Sequence, residues 1–126
     1  MRELARVILF VKDMDRLVAF YRDVLELEPV SRAEDDENFV SLSAGGCQVS
    51  LHRIPSAIAE SIVISDPPVR RASTPFKLSF YATDVEAARA SLIERGALMG
   101  EMVRFGELVL CDGLDPEGNV FQLTNR

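Results

Sequence analysis

The spacing of apolar positions changes along the chain, and each change predicts an element of secondary structure. Residues 4–12 are rich in Val, Ile, Leu and Phe and predict a β-strand. Beyond them, apolar side chains recur at intervals of three and four, as in a helix that packs one face against a sheet. We predict this helix from Asp13 to Glu26, with Asp13 or Asp15 as its cap, because Pro29 prevents its continuation.

Three short strands and a linker are predicted next. The strands lie near residues 30–33, 38–43 and 47–53, and the acidic run 34–37 between the first two is interpreted as a solvated turn. Residues 54–75 contain four of the six prolines, which break regular structure. This segment is therefore predicted to be a linker that can hold one short helical turn.

The opening pattern then returns. A strand over 76–83 leads to Asp84 as a helix cap and to a helix over 85–95, which Gly96 ends. Three more strands are predicted near residues 98–104, 107–111 and 119–124.

Two βαβββ modules result, at about residues 1–53 and 76–126, and the linker joins them into one domain of 126 residues. Aligning the two helix caps sets Arg6 against Lys77 at equivalent positions of the two first strands. One module has a one-sided sheet and a single helix, which is too little to bury a core. The two modules are therefore predicted to share a layer.

A tight turn, Asp115-Pro116-Glu117-Gly118, is predicted between the last two strands. Proline fixes φ at its second position, aspartate can bond its own backbone, and glycine can adopt a positive φ. This turn resembles one in the vicinal oxygen chelate superfamily, which includes glyoxalase I, bleomycin resistance proteins and extradiol dioxygenases. Three further motifs share the resemblance: Val11-Lys12-Asp13, Phe20-Tyr21, and the segment from Ala82-Thr83-Asp84 to Gly96.

The resemblance covers nearly the whole chain and implies its architecture. It implies an α+β fold in which the two modules form a curved, eight-stranded mixed sheet, with helices on the outer face and a ligand in the cup inside. Family members are commonly dimers, so the resemblance also implies a homodimer.

Metal-using members of the superfamily place a ligand at four strand positions, typically His, Gln or Glu. The resemblance carries these positions over to Arg6, Ser50, Lys77 and Gln122. The two cations cannot donate a lone pair while protonated. A shift of one residue would place only apolar side chains at the first and fifth strand positions. We therefore predict no catalytic metal and no cofactor.

Strand alternation identifies the side chains that would face the cup, because alternate residues share one face. The predicted ligand-binding residues are Arg6, Ile8, Phe10, Ser50, His52, Lys77, Ser79, Tyr81 and Gln122. His52, the only histidine, and Tyr81 are the candidate acids or bases for catalysis. Core packing explains Phe10 and Tyr81 equally well, and His52 fits equally well as a half-exposed residue at a strand end.

Composition and charge narrow the partners and the location. The chain is 48% hydrophobic, which suits a real core, and its early apolar run 7–11 is too short for a transmembrane helix. We expect a soluble cytoplasmic protein with no membrane partner. A net charge of -6 without a long basic run argues against nucleic-acid binding. Cys47 and Cys111 have no zinc or disulfide spacing and are predicted to be small core residues.

Two functional classes remain open, with a structural role as the third and weakest. The replacement of metal ligands at the family's metal positions favours metal-independent binding of a small molecule, as the resemblance to bleomycin resistance proteins implies. The alternative is an enzyme of lyase, isomerase or dioxygenase type, either metal-free with His52 or Tyr81 or metal-dependent through other ligands. Arg6 and Lys77 favour an anionic ligand over a cationic drug. The alternatives for these cations are an internal partner or exposure to solvent.

Overall fold

The computed structural model describes residues 1–71 and 73–126, which form two compact units, Met1–Val63 and Ile64–Arg126. The boundary between the units falls inside the predicted linker, and each unit holds one βαβββ module. The α+β class and the modular repeat are confirmed.

The first unit is a four-stranded sheet with one main helix. Its elements are β1 (Arg6–Val11), α1 (Met14–Ala19), β2 (Glu28–Pro29), β3 (Phe39–Ala44), β4 (Cys47–Arg53) and α2 (Ser56–Ala59). The strand order is β1-β4-β3-β2, with β1 and β4 parallel and the other neighbours antiparallel. Leu9 and Val11 are buried, whereas Phe10 between them is 62% exposed, so β1 has one core face and one open face.

The second unit repeats this arrangement. Its elements are β5 (Leu78–Tyr81), α3 (Val85–Glu94), β6 (Leu98–Phe105), β7 (Leu108–Leu114) and β8 (Val120–Thr124). The strand order is β5-β8-β7-β6, and the parallel pair is β5 with β8. Helix α3 packs against β6, β7 and β8, where Cys111, Phe121 and Leu123 are buried. Both predicted cysteine positions lie in strands, although only Cys111 is fully buried.

Both predicted helix caps are confirmed. Asp13 Oδ1 accepts a hydrogen bond from Arg16 N at 3.1 Å, and Asp84 Oδ1 accepts one from Ala87 N at 3.0 Å. Each carboxylate therefore satisfies a backbone donor that the first helical turn leaves unpaired. Gly96 follows α3 with φ of 92°, as expected for a glycine that ends a helix.

The first helix differs from the prediction in its second half. The α-helix ends at Ala19, and residues Phe20–Val24 form a π-helical turn, in which Leu25 N bonds Phe20 O at 3.1 Å. Consecutive residues of an α-helix point about 100° apart, so both rings of a Phe-Tyr pair do not readily face one core. The π-helical turn accompanies burial of both Phe20 and Tyr21, which are 7% and 1% exposed.

The position of one predicted strand needs correction. The strand expected at 30–33 lies instead at Glu28–Pro29, because a turn begins at Arg32, whose carbonyl accepts from Asp35 N at 3.2 Å. The strands form two four-stranded mixed sheets, one in each module, in the βαβββ arrangement that was predicted. In each sheet the first strand of the module pairs in parallel with the last, β1 with β4 and β5 with β8.

The linker contains the short helix α2 as its helical turn. Among the described residues, no helix has the length and apolar character needed to cross a membrane.

Candidate functional site

Three strands of the second unit align polar side chains in one row. Gln122 of β8 lies opposite Asp112 of β7 on one side and opposite Ser79 of β5 on the other. Alternate residues of a strand share a face, so this row lies on the face opposite Cys111 and Phe121, which are buried. Strand pairing thus brings together three polar side chains that are far apart in sequence.

Asp112 is the centre of a hydrogen-bond network. Lys77 Nζ donates to both of its carboxylate oxygens at 3.0 Å, and Gln122 Nε2 donates to Oδ1 at 3.2 Å. Ser79 Oγ donates to Gln122 Oε1 at 3.0 Å. Arg70 Nη2 lies 3.6 Å from Asp112 Oδ2, within ion-pair distance but too far for a strong hydrogen bond. The network therefore has two cations around one carboxylate.

The partner of Lys77 is thus an internal carboxylate, one of the alternatives that the sequence left open. The Lys77 side chain is 40% exposed and that of Asp112 is 27% exposed, so the pair lies at the surface of the sheet. Lys77 itself precedes β5, which begins at Leu78.

A cavity of about 250 Å³ adjoins this network within the second unit. Its charged lining residues are Arg70 and Asp112, and its apolar wall consists of Leu98, Met99, Gly100, Gly113 and Leu114. An added Cβ at Gly113 would lie 2.5 Å from Met99 Sδ, so this glycine leaves room for its neighbours. An apolar wall with a few polar groups is typical of a small-molecule site.

The turn predicted at residues 115–118 positions Arg70. Asp115 Oδ1 accepts from Glu117 N and Asn119 N, both at 2.9 Å, which shapes the turn as predicted. Gly118 then has φ of 82°, and its carbonyl accepts from Arg71 N at 3.0 Å. The turn thereby fixes the backbone next to Arg70 within the second unit.

The predicted site residues of the first unit have different environments. Ile8 and Phe10 lie on the open face of the sheet and are 40% and 62% exposed. Ser50 is fully buried, and its hydroxyl lies 2.8 Å from the hydroxyl of Ser41. Arg6 is half-buried, and its Nε has no hydrogen-bond partner among residues 1–71 and 73–126. A ligand would reach Ile8 and Phe10 directly but not Ser50.

His52 lies between two aromatic rings. Its ring centroid is 5.4 Å from that of Phe10 and 5.3 Å from that of Phe39, because these residues are neighbours on three paired strands. Tyr81, the other catalytic candidate, belongs to the second unit and is 84% exposed. The structure places His52 in an aromatic row and Tyr81 at an open surface.

His, Cys, Asp and Glu side chains are the ones that could bind a metal ion or act as nucleophiles. The described residues contain no group of three His, Cys, Asp or Glu side chains that could hold a metal ion. Burial raises the pKa of the Cys111 thiol, which keeps it in the protonated, unreactive form near neutral pH.

Sequence reasoning missed Asp112 and Arg70. The seventh strand was predicted to end at Cys111, whereas β7 continues to Leu114 and so includes Asp112. A longer strand would have placed Asp112 beside Gln122. Arg70 lies in the proline-rich linker, where no periodic pattern indicates its position.

The profile of the glyoxalase-like domain family matches residues 6–124. The chain belongs to this family. The resemblance to the vicinal oxygen chelate superfamily is therefore confirmed. No curated protein sequence matches this glyoxalase-like chain significantly.

Solved structures share the glyoxalase-like fold over almost the entire chain. SMU.1112c has a TM-score of 0.74 at 24% identity, covering 98% of each chain. TnmS3, an antibiotic binding protein from Streptomyces sp. CB03234, has a TM-score of 0.71 at 18% identity, covering 98% of this chain and 94% of its own. Lactoylglutathione lyase from Agrobacterium tumefaciens has a TM-score of 0.68 at 22% identity, covering 97% and 92%. At these identities the likeness concerns the fold alone.

Proposed function

We propose that this glyoxalase-like protein binds a small molecule, without a metal, in the cavity beside Asp112. The cavity carries the proposal, because it combines an apolar wall with the charged groups of Arg70 and Asp112. Such a site holds an apolar body by burial and orients it through a few polar contacts. The antibiotic-binding role of TnmS3 shows that the fold hosts binding proteins.

The chemistry at the family's metal positions supports metal independence. Arg6 and Lys77 have no lone pair to donate while protonated. Lys77 is instead engaged by Asp112 at 3.0 Å, and Gln122 uses both ends of its amide in the same network. These residues do not fit a divalent cation, and a cation beside Lys77 would be repelled.

The enzyme alternative has weaker support. Within residues 1–71 and 73–126, His52 has ring contacts with Phe10 and Phe39 but no hydrogen bond to a carboxylate that would orient its imidazole. Tyr81 is 84% exposed, an environment that does little to activate a phenol. Sequestration therefore accounts for the site better than acid–base catalysis.

A blocked cavity provides the test. We expect Leu98→Trp to fill the cavity, whereas Val103→Trp, on the same strand but outside the cavity wall, should leave it open. The two side chains are matched in exposure, at 44% and 45%. A small-molecule fragment library would be titrated into ¹⁵N-labelled protein, with metal content measured on the purified sample.

The expected result is a fragment-dependent shift of the amide signals of residues 98–100 and 112–114. The shift should disappear in Leu98→Trp and persist in Val103→Trp. A stoichiometric bound metal would contradict the metal-independent part of the proposal. Fragment binding that is unaffected by Leu98→Trp would contradict the assignment of the cavity.

A further inference from the structure

The charges of the network beside the cavity do not cancel, because Lys77, outside the lining, adds to Arg70 and Asp112, which line it. Arg70 and Lys77 are cationic and Asp112 is their shared carboxylate, which leaves one unit of positive charge in this group. We propose that the cavity is a site for a small organic monoanion, a carboxylate on an apolar body, with Arg70 as the residue that binds the carboxylate. This inference rests on the small-molecule binding proposed above and names the chemical class of the ligand.

Arg70 is the cation that is available to a ligand. Its Nη2 is 3.6 Å from Asp112 Oδ2, and its side chain is 56% exposed. An exposed, widely spaced ion pair contributes little, so turning the guanidinium towards a ligand costs little. The planar guanidinium also presents paired N–H donors that match a carboxylate. Arg70 can therefore form a two-point contact with an anion at the cavity mouth.

Lys77 and Asp112 have a different role. Lys77 Nζ contacts both oxygens of Asp112 at 3.0 Å, so it stays with that carboxylate. Asp112 in turn attracts Arg70 to the edge of the cavity. Asp112 is thus a positioning residue, which holds both cations near the ligand and offsets only one of their two charges.

A cationic ligand is disfavoured by the same contacts. Asp112 Oδ1 already accepts from Lys77 and Gln122, and Oδ2 accepts from Lys77. A ligand ammonium beside Asp112 would also lie close to Lys77 and Arg70, and like charges repel. An anion competes only with the exposed, widely spaced ion pair between Arg70 and Asp112, at 3.6 Å.

The apolar wall determines the rest of the ligand. Leu98, Met99 and Leu114 offer hydrocarbon and thioether surface to a ligand body. The cavity of about 250 Å³ is smaller than the usual pocket for a drug-sized ligand, so the body must be small. The sequence predicted that Arg6 and Lys77 bind the anionic ligand. In this inference Arg70 replaces Arg6 as the binding arginine, because Arg70, Lys77 and Asp112 belong to one unit.

Three probes of similar shape and different charge test this inference: benzoate, benzamide and benzylamine. Each would be titrated into ¹⁵N-labelled wild-type protein, Arg70→Met and Arg104→Met. Arg104 is a matched control, because its side chain is also 56% exposed and lies 3.7 Å from Glu86, outside the cavity wall. We expect benzoate to bind most tightly, and its Kd to rise about tenfold in Arg70→Met, the scale of a charged hydrogen bond. The Kd should be unchanged in Arg104→Met.

The outcomes separate this inference from the proposed function. The monoanion class is overturned if benzamide or benzylamine binds as tightly as benzoate, or if both arginine variants weaken benzoate equally. In either case a small-molecule site still exists. If none of the three probes shifts the signals of residues 98–100 and 112–114, the monoanion class is overturned, and the fragment titration with Leu98→Trp decides separately whether the cavity binds small molecules.

Discussion

Asp115 shows how much one buried carboxylate contributes to the fold. It is fully buried and accepts backbone hydrogen bonds from Glu117 and Asn119, and its Oδ2 accepts from Asn119 Nδ2 at 2.8 Å. Its role was predictable from sequence because the donors lie within four residues of it. Asp112 has the opposite character, since its partners come from other strands and from the linker.

Asp115→Asn should destabilise the protein measurably. The amide group would replace one acceptor oxygen with a donor and leave a buried N–H group unsatisfied, at a cost of about 1–3 kcal/mol. Urea denaturation followed by circular dichroism would measure the loss. Asp23→Asn is the control, because Asp23 is 58% exposed at the surface, and its unfolding midpoint should not move. Equal effects of the two substitutions would contradict the role given to Asp115.

The two cysteines should differ in reactivity. Cys111 is 1% exposed and its thiol pKa is raised by burial, whereas Cys47 is partly exposed. We expect iodoacetamide near neutral pH to modify Cys47 first, because the thiolate is the reacting form and Cys111 lacks both thiolate and access. Peptide mass spectrometry would locate the label. Comparable rates in the native protein would show that Cys111 is accessible, and denaturant should make the rates comparable.

Among the helices and strands, the correct predictions concern features that depend on residues close together in the sequence. The caps at Asp13 and Asp84 depend on neighbours three residues away and were predicted correctly. The π-helical turn at Phe20–Val24 was not, because it accompanies the burial of two adjacent rings, which only tertiary packing decides. The hydrogen-bond network followed the same rule: Gln122 and Lys77 were predicted from strand positions to share a face, but their common partner Asp112 was not predicted.

The turn at residues 115–118 allows a matched test of close packing. A Cβ at Gly118 would lie 2.1 Å from Val69 O, whereas one at Gly45 would meet nothing within 4 Å. Both glycines have positive φ, so alanine is strained at either position, by about 1–2 kcal/mol. Gly118→Ala should therefore lose clearly more stability in urea than Gly45→Ala. Equal losses would mean that backbone conformation alone requires the glycine.

For the whole molecule, the family is settled more firmly than the activity. The glyoxalase-like profile spans residues 6–124, yet proteins with this fold include a lyase and an antibiotic-binding protein. The fold depends on the periodic burial of apolar side chains, which is visible in a sequence. The choice of ligand depends on a few charged side chains that strand pairing brings together from distant parts of the chain. The homodimer and the cytoplasmic location remain predictions, and light scattering would test the first.

Metal ions should not stabilise the protein. A ligand that binds the native state raises the melting temperature, and the residues at the family's metal positions do not fit a divalent cation. Melting curves with and without Ni²⁺, Zn²⁺, Mn²⁺ or Fe²⁺ should therefore coincide. A metal-dependent rise in melting temperature that Gln122→Ala abolishes would show that the metal positions were wrongly assigned.

The hydrogen bond from Arg71 N to Gly118 O affects how ligand specificity can change among related proteins. Arg70, the charged group at the cavity mouth, is carried by a segment whose backbone the turn holds through this hydrogen bond, in addition to the ion pair of Arg70 with Asp112 of the wall. Substitutions in residues 115–118 could therefore retune which ligands are accepted while the cavity wall stays identical in sequence. Relatives with the same wall and a different turn would then differ in ligand preference, and comparing wall residues alone would group them wrongly.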